Sequence, residues 1–243
     1  MWLKLAGLAA LAVLSFGLAA AALLAPPPAS TYVRPPATAG PVETEEPDPT
    51  TALFIGDSYT AGAGALTGSN RYTTVVARSQ SWIESNVGRG GTGYTSSVSG
   101  DAAADACRLE YCPDFREMIP EAVAADPDIV IVGGGRNDAD EDVSTEADAI
   151  TAFYTDLRAA LPDAQLIATS PLWDDETAPE ELEEISAAVR GAIESVGGVY
   201  LDIGQPLQGK AELMSPDGVH PNDEGHKAIG AAIAAQLEAS DAF

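Results

Sequence analysis

The chain has 243 residues, with 37 Asp and Glu against 12 Lys and Arg and a formal net charge of −25. That balance lacks the basic footprint a phosphate backbone requires, which argues against nucleic-acid binding, and the same repulsion disfavours an anionic lipid surface. With two histidines and two cysteines in all, donors for a zinc centre are too few, and no metal or other cofactor is expected.

Taken in chain order, residues 5–25 are an uncharged Ala/Leu-rich stretch preceded by Lys4. Residues 1–25 read as an export signal or an N-terminal membrane anchor. About 20 residues cross a bilayer, so the length suits an anchor. Many alanines, with small-residue sites at Ala19-Ala20-Ala21 and Pro28-Ala29-Ser30, suit cleavage. A buried core helix would carry a polar face, and this stretch has none. The chain is therefore expected outside the cell or at its surface, membrane-attached if residues 5–25 are kept. Residues 26–49 hold eight prolines and the acids Glu43, Glu45, Glu46 and Asp48. Such a segment stays extended and solvated, and reads as a linker. Residues 50–243 suffice for one domain with a sizeable core.

Within that domain, short apolar runs at 52–56, 82–87, 128–133, 165–169 and 199–203 read as strands buried on both faces. Helical patterns separate them, at 72–79, 115–125, 146–160 and 180–196, with a last one at 224–238. In the fourth, Leu182, Ile185, Val189 and Ile193 recur at spacings of three and four, one face of a helix. The alternation predicts an α/β fold, a parallel sheet covered on both faces. Cys107 and Cys112 sit close together in a polar stretch. In an exported chain they are expected to pair, closing a short loop that contributes about 2 kcal/mol through the unfolded state.

Ligands in such sheets bind at the carboxyl ends of the strands. Ser58 follows the first strand within Gly56-Asp57-Ser58-Tyr59. Gly90 and Gly91 follow the second, in a glycine-rich segment. Gly135-Arg136-Asn137 follows the third, and Asp217-Gly218-Val219-His220-Pro221 lies after the fifth. All these residues fall on one edge. A serine hydroxyl needs a base in reach, and the base needs an orienting partner. His220 is the natural base, with Asp217 three residues before it. The other histidine, His226, falls inside the last helical pattern. Pro221 restricts His220 to extended backbone. Donors for an oxyanion could come from the Ser58 N–H, from the glycine-rich loop, and from the Asn137 amide. Each feature has a plainer reading too: Asp217-Gly218 as a turn, Asn137-Asp138 as a cap, the glycines as a flexible loop.

Three other patterns fail on inspection. Residues 204–211 nearly spell a P-loop, but Ala211 stands where Ser or Thr should hold magnesium. Residues 138–142 begin like a calcium loop, but Val143 replaces the turn glycine and Ala149 the final glutamate. The G-x-S-x-G elbow of α/β-hydrolases is absent.

Gly56-Asp57-Ser58, Gly91, Gly135-Arg136-Asn137-Asp138 and Asp217-Gly218-Val219-His220 resemble, in order and spacing, the signature of the SGNH hydrolase (GDSL esterase/lipase) family. The resemblance implies a three-layer α/β/α sandwich with a flavodoxin-like five-stranded parallel sheet. It implies Ser58 as nucleophile, His220 as base and Asp217 as its partner, with an oxyanion hole from Ser58, Gly91 and Asn137. Gly90 remains an alternative to Gly91. Arg136 occupies a variable place in the pattern, and pairing with Asp138 or Asp140 is expected over contact with an anionic substrate. Tyr59, Tyr94 and Trp173 are candidate pocket residues, packing being the alternative. The expected activity is a carboxylic ester hydrolase of small acyl esters, such as acetyl groups on cell-wall or other carbohydrates. An acyltransferase with the same triad, or a non-catalytic glycan-binding module on the same fold, are the alternatives.

Overall fold

The computed structural model describes residues 48–139 and 143–240. The expected signal or anchor at 1–25, the expected linker except for residues 48 and 49, and Asp140, Glu141 and Asp142 lie outside the described residues. Among the described residues there are seven strands: β1 (Thr51–Gly56), β2 (Ile83–Asn86), β3 (Val98–Ser99), β4 (Tyr111–Cys112), β5 (Ile129–Gly133), β6 (Gln165–Thr169) and β7 (Val199–Leu201). Five of them form an all-parallel sheet in the order β2-β1-β5-β6-β7. The helices are α1 (Ser58–Ala61), α2 (Tyr72–Gln80), α3 (Asp101–Cys107), α4 (Ile119–Ala125), α5 (Val143–Ala160), α6 (Glu180–Ser195) and α7 (Asp223–Ala239).

The β-branched, two-face-apolar sequences of β1 and β5 place them at the sheet centre, and alternate residues feed separate cores. Leu53, Ile55, Val130 and Val132 meet Phe153, Tyr154 and Leu157 of α5 and Ile185, Val189 and Ile193 of α6. Phe54, Ile131 and Ile167 face Tyr72 and Val76 of α2 and Ile229, Ile233 and Leu237 of α7. The result is three layers, helices on both faces of a parallel sheet. The chain leaves β1 for β2 on one side and returns to β5 on the other. This reversal makes the β1/β5 carboxyl edge the switch point where a crevice opens.

Four features differ from expectation. The second strand is shorter than 82–87 and pairs only with β1, so its side chains alternate between exposed and half-buried, and Ile83 is 53% exposed. The second helix pattern starts late, at Ile119, where Pro120 fits the first turn because its missing N–H has no partner to lose. Phe115, assigned to that helix by its pattern, is fully buried in the turns before it. A small lobe was not legible: β3 and β4 pair antiparallel around α3, with a disulfide joining Cys107 and Cys112.

Candidate active site

β1 runs straight into the first functional segment. Asp57 leaves the strand in extended backbone and caps α1, its Oδ1 accepting from the Tyr59 N–H at 2.9 Å. Ser58 is then the first helical residue, so its own N–H is among those a helix start leaves free. Asp57 is 3% exposed. Burial pushes its carboxyl up to about 6, against the Tyr59 N–H, which favours the ionised form. Beneath it, Asp57, Thr60, Gly133, Gly134, Thr169 and Ser170 help line a cavity of about 10 Å³, roughly the space of one water.

The loop after β7 brings Asp217 to His220. Asp217 Oδ2 lies 2.8 Å from His220 Nδ1. Its Oδ1 accepts from the N–H of Val219 at 2.9 Å, of His220 at 2.9 Å, and from Ser215 Oγ at 2.8 Å. Those donors, the His220 N–H first, hold the Asp217 carboxyl well below the usual carboxylate range. The arrangement puts the proton on Nδ1 and leaves Nε2 as the accepting atom. The far side of the loop is fixed by Asn222. Its amide donates to Glu212 O at 2.8 Å and Met214 O at 3.1 Å, while its Oδ1 caps α7 by accepting from Glu224 and Gly225.

Two contacts bring this loop to the segment that bears Ser58. Tyr59 OH donates to Val219 O at 2.7 Å. Gly64, just past α1, packs so closely that a Cβ there would lie 2.2 Å from Pro221 O and 3.1 Å from His220 Cβ. Only glycine permits that approach. Among the described residues Ser58 Oγ has no hydrogen-bond partner, and the contacts of the His220 ring nitrogens end at Asp217. Nucleophile–base contacts of substrate-free hydrolases are often long and close on binding.

The oxyanion candidates lie on the neighbouring loops. Asn137 follows β5, and its Nδ2 donates one hydrogen to Thr92 O at 2.9 Å. An amide nitrogen carries two hydrogens, so the second stays available. Gly91 is exposed, with φ +71, whereas Gly90 is buried. A Cβ on Gly90 would lie 2.4 Å from Ala106 O, which wedges that residue against α3. Among the described residues neither the Ser58 nor the Gly91 N–H meets an acceptor. The Gly90 N–H likewise meets no acceptor among the described residues, so both glycines stay candidates, Gly91 being the more exposed.

Asp138 was missed as a site residue. It is 1% exposed. Its carboxylate accepts from the N–H groups of Tyr94 at 2.9 Å, Thr95 at 3.2 Å and Ser96 at 3.0 Å. With Ser96 Oγ donating to Asn137 O at 2.8 Å, it locks the glycine-rich loop against Asn137. The expected pairing of Arg136 with Asp138 is corrected by this, and Asp140 lies outside the described residues. Asp138 faces those backbone donors, and Arg136 pairs with Asp174 at 2.7 Å. The guanidinium also donates to Tyr59 OH, and it stacks over the rings of Tyr59 at 5.1 Å and Trp173 at 4.8 Å.

Tyr94 does not line the site. It is 3% exposed, packed edge-on against Phe115 and Phe153, with its hydroxyl on that of Tyr154. His226 is structural as well. Its Nδ1 accepts from the Tyr72 N–H at 3.3 Å, capping α2, and its Nε2 donates to Ala63 O at 3.0 Å. Burial lowers its pKa, so it stays neutral.

Comparison with known proteins bears on the family and the fold. The GDSL-like Lipase/Acylhydrolase family model matches residues 54–228. A "GDSL lipase Rv0518" of Mycobacterium tuberculosis is 29% identical over 195 residues, covering 74% of this chain and 78% of that protein. Among solved structures, the psychrotrophic esterase EstA from Pseudoalteromonas sp. is similar at TM-score 0.59 and 17% identity, over 78% of this chain and 97% of that one. The acetyl xylan esterase Est2A of Butyrivibrio proteoclasticus is similar at TM-score 0.55 and 18% identity, over 78% of this chain and 64% of that one. The last two likenesses show a shared fold. With most of the domain inside the family match, the chain belongs to the GDSL-like lipase/acylhydrolase family and is a hydrolase of the esterase/lipase type.

Proposed function

We propose that the chain hydrolyses small acyl esters, acetyl esters of carbohydrates foremost, through an acyl-enzyme on Ser58. The observation that carries the reading is the Asp217–His220 pair, 2.8 Å apart and tied by Tyr59 to the segment that bears Ser58. His220 takes the Ser58 proton as Oγ attacks the ester carbonyl. Asp217 holds the imidazole in the required tautomer and stabilises the imidazolium. The tetrahedral oxyanion forms against the Ser58 and Gly91 N–H groups and the Asn137 amide, each donor contributing about 3–4 kcal/mol to the barrier drop. His220 then protonates the leaving alcohol, and water releases the acyl group by the same relay.

One feature supports a neutral alcohol. A groove of about 300 Å³ beside the Asp217–His220 loop is lined by Asp174, Asp175 and Glu176, which repels anionic substrates. An acetyl xylan esterase and family two carbohydrate esterases are among the proteins that share the fold. Residues 1–25 are proposed as the export signal or anchor that would bring the domain to such substrates.

The test is hydrolysis of p-nitrophenyl acetate, p-nitrophenyl octanoate and acetylated xylan by wild type and Ser58→Ala. Acetate turnover above octanoate turnover, lost in Ser58→Ala, is the expected result. Preference for octanoate would reverse the acyl assignment. A folded wild type that turns over none of the three, and takes up no fluorophosphonate, would support the glycan-binding alternative. Acyl transfer to an added alcohol in preference to water would identify a transferase.

A further inference from the structure

We infer that Tyr59, oriented by Arg136, is a positioning residue that sets the spacing between nucleophile and base. The inference rests on reading Ser58 and His220 in those roles, and it replaces the expectation that Tyr59 lines a substrate pocket.

Tyr59 immediately follows Ser58, and Val219 immediately precedes His220. One hydrogen bond, Tyr59 OH to Val219 O at 2.7 Å, spans the two. A phenol has a single hydrogen to give. That hydrogen goes to Val219, since Asp174 Oδ1, the other acceptor near the hydroxyl, lies at 3.4 Å. The phenol's lone pair is occupied by Arg136 Nη1, which donates to it. The same Nη1 donates to Asp174 Oδ1 at 2.7 Å. The hydroxyl can thus point only at the base loop. Its ring, 2% exposed, lies edge-on to the His220 ring with centroids 6.1 Å apart.

Arg136 is fixed in turn. Its side chain is 14% exposed and that of Asp174 8%. The guanidinium lies against the faces of both Tyr59 and Trp173. A buried ion pair contributes little net stability compared with apolar packing of equal volume. A planar fork held on three sides nevertheless gives direction, which a point charge does not. Burial pushes the Tyr59 hydroxyl further up, so it remains a donor throughout the working pH range. Arg136 adjoins Asn137, so the brace ties the segments bearing nucleophile, oxyanion donor and base. Asp174 neutralises the guanidinium, which leaves little field for an anionic substrate.

The experiment compares full-length wild type with Tyr59→Phe, Arg136→Gln and Arg136→Lys, reading kcat and KM on p-nitrophenyl acetate. Fluorophosphonate labelling rate and melting temperature are measured alongside. Tyr59→Phe keeps the ring and removes only the hydroxyl. Displacement of reacting groups by about 1 Å costs up to roughly 100-fold. The expected result is a kcat and labelling rate lowered about 10- to 100-fold, with KM within about twofold. Arg136→Gln is expected to behave alike, and Arg136→Lys to restore part of the loss. Unchanged kcat in folded Tyr59→Phe, or a change confined to KM, would overturn the inference. If Tyr59→Phe loses its melting transition, the Arg136 pair decides: equal kcat in Gln and Lys overturns the brace, and Lys above Gln supports it. The catalytic reading itself fails separately, if wild type does not label or Ser58→Ala still turns over.

Discussion

Replacing Asp57 by Asn tests the electrostatics of the nucleophile segment. Asn can still accept from the Tyr59 N–H, so the α1 cap survives while the buried charge goes. In the folded protein burial raises the Asp57 carboxyl from 3.8 to about 6. A raised carboxyl pKa means the folded state binds the proton more tightly than the unfolded chain. Its contribution to stability is therefore full below about pH 4 and is lost as pH rises through about 6. A shift of about two units at about 1.4 kcal/mol each gives about 3 kcal/mol. For a domain of this size that is about 6–12 °C in melting temperature. Urea unfolding of wild type and Asp57→Asn, from about pH 4 to about pH 7.5, isolates this group because other titrations cancel in the difference. The wild type is expected to lose about 3 kcal/mol relative to the variant across that window. A difference that does not change with pH would refute the assignment of a buried, charge-destabilised Asp57.

Three further substitutions probe the rest of the site. Asn137→Ala removes the proposed oxyanion donor and should lower kcat by about 10²–10³ with little change in KM, read on p-nitrophenyl acetate. Asp217→Asn keeps the acceptor for the Val219 and His220 N–H groups but presents an amide to Nδ1. The wrong tautomer should cost up to about 10⁴ in kcat with the melting temperature little changed. Replacing both Cys107 and Cys112 by Ser frees α3, the wall behind Gly90, so stability should fall by about 2 kcal/mol in urea. The same variant should slow turnover through a looser glycine loop, and wild-type kcat would show that the lobe does not support that loop.

Much of this architecture was legible because strand ends carry chemistry. Ser58, Gly91, Asn137 and His220 each follow an apolar run, and the parallel sheet gathers such ends on one edge. Arg136 shows where the reading stopped. The nearest acids in sequence were the expected partners, yet the loop after β6 supplies Asp174, 38 positions away. Distance along the chain is a poor guide to charge pairing once loops from different strands converge. Tyr94 failed for a related reason. In an irregular segment no period fixes which way a side chain points, and the core claimed its ring. The lobe from β3 to β4 was hidden because strands of two residues give no alternation to read.

Tyr59 and Val219, the contact that links the proposed nucleophile to the proposed base, stand 160 positions apart. Between them lie β2, β5, β6 and β7, every strand of the five-stranded sheet except β1. The base loop is then secured by Asn222 at the head of α7, the last helix described. A nascent or proteolysed chain ending before Asp217 would carry Ser58 without the proposed base, and one ending at Asn222 would hold that loop without the α7 cap that fixes Asn222. Hydrolysis is therefore a readout of the finished molecule: esterase activity recovered during refolding should lag the return of helical signal and coincide with docking of α7 on α2.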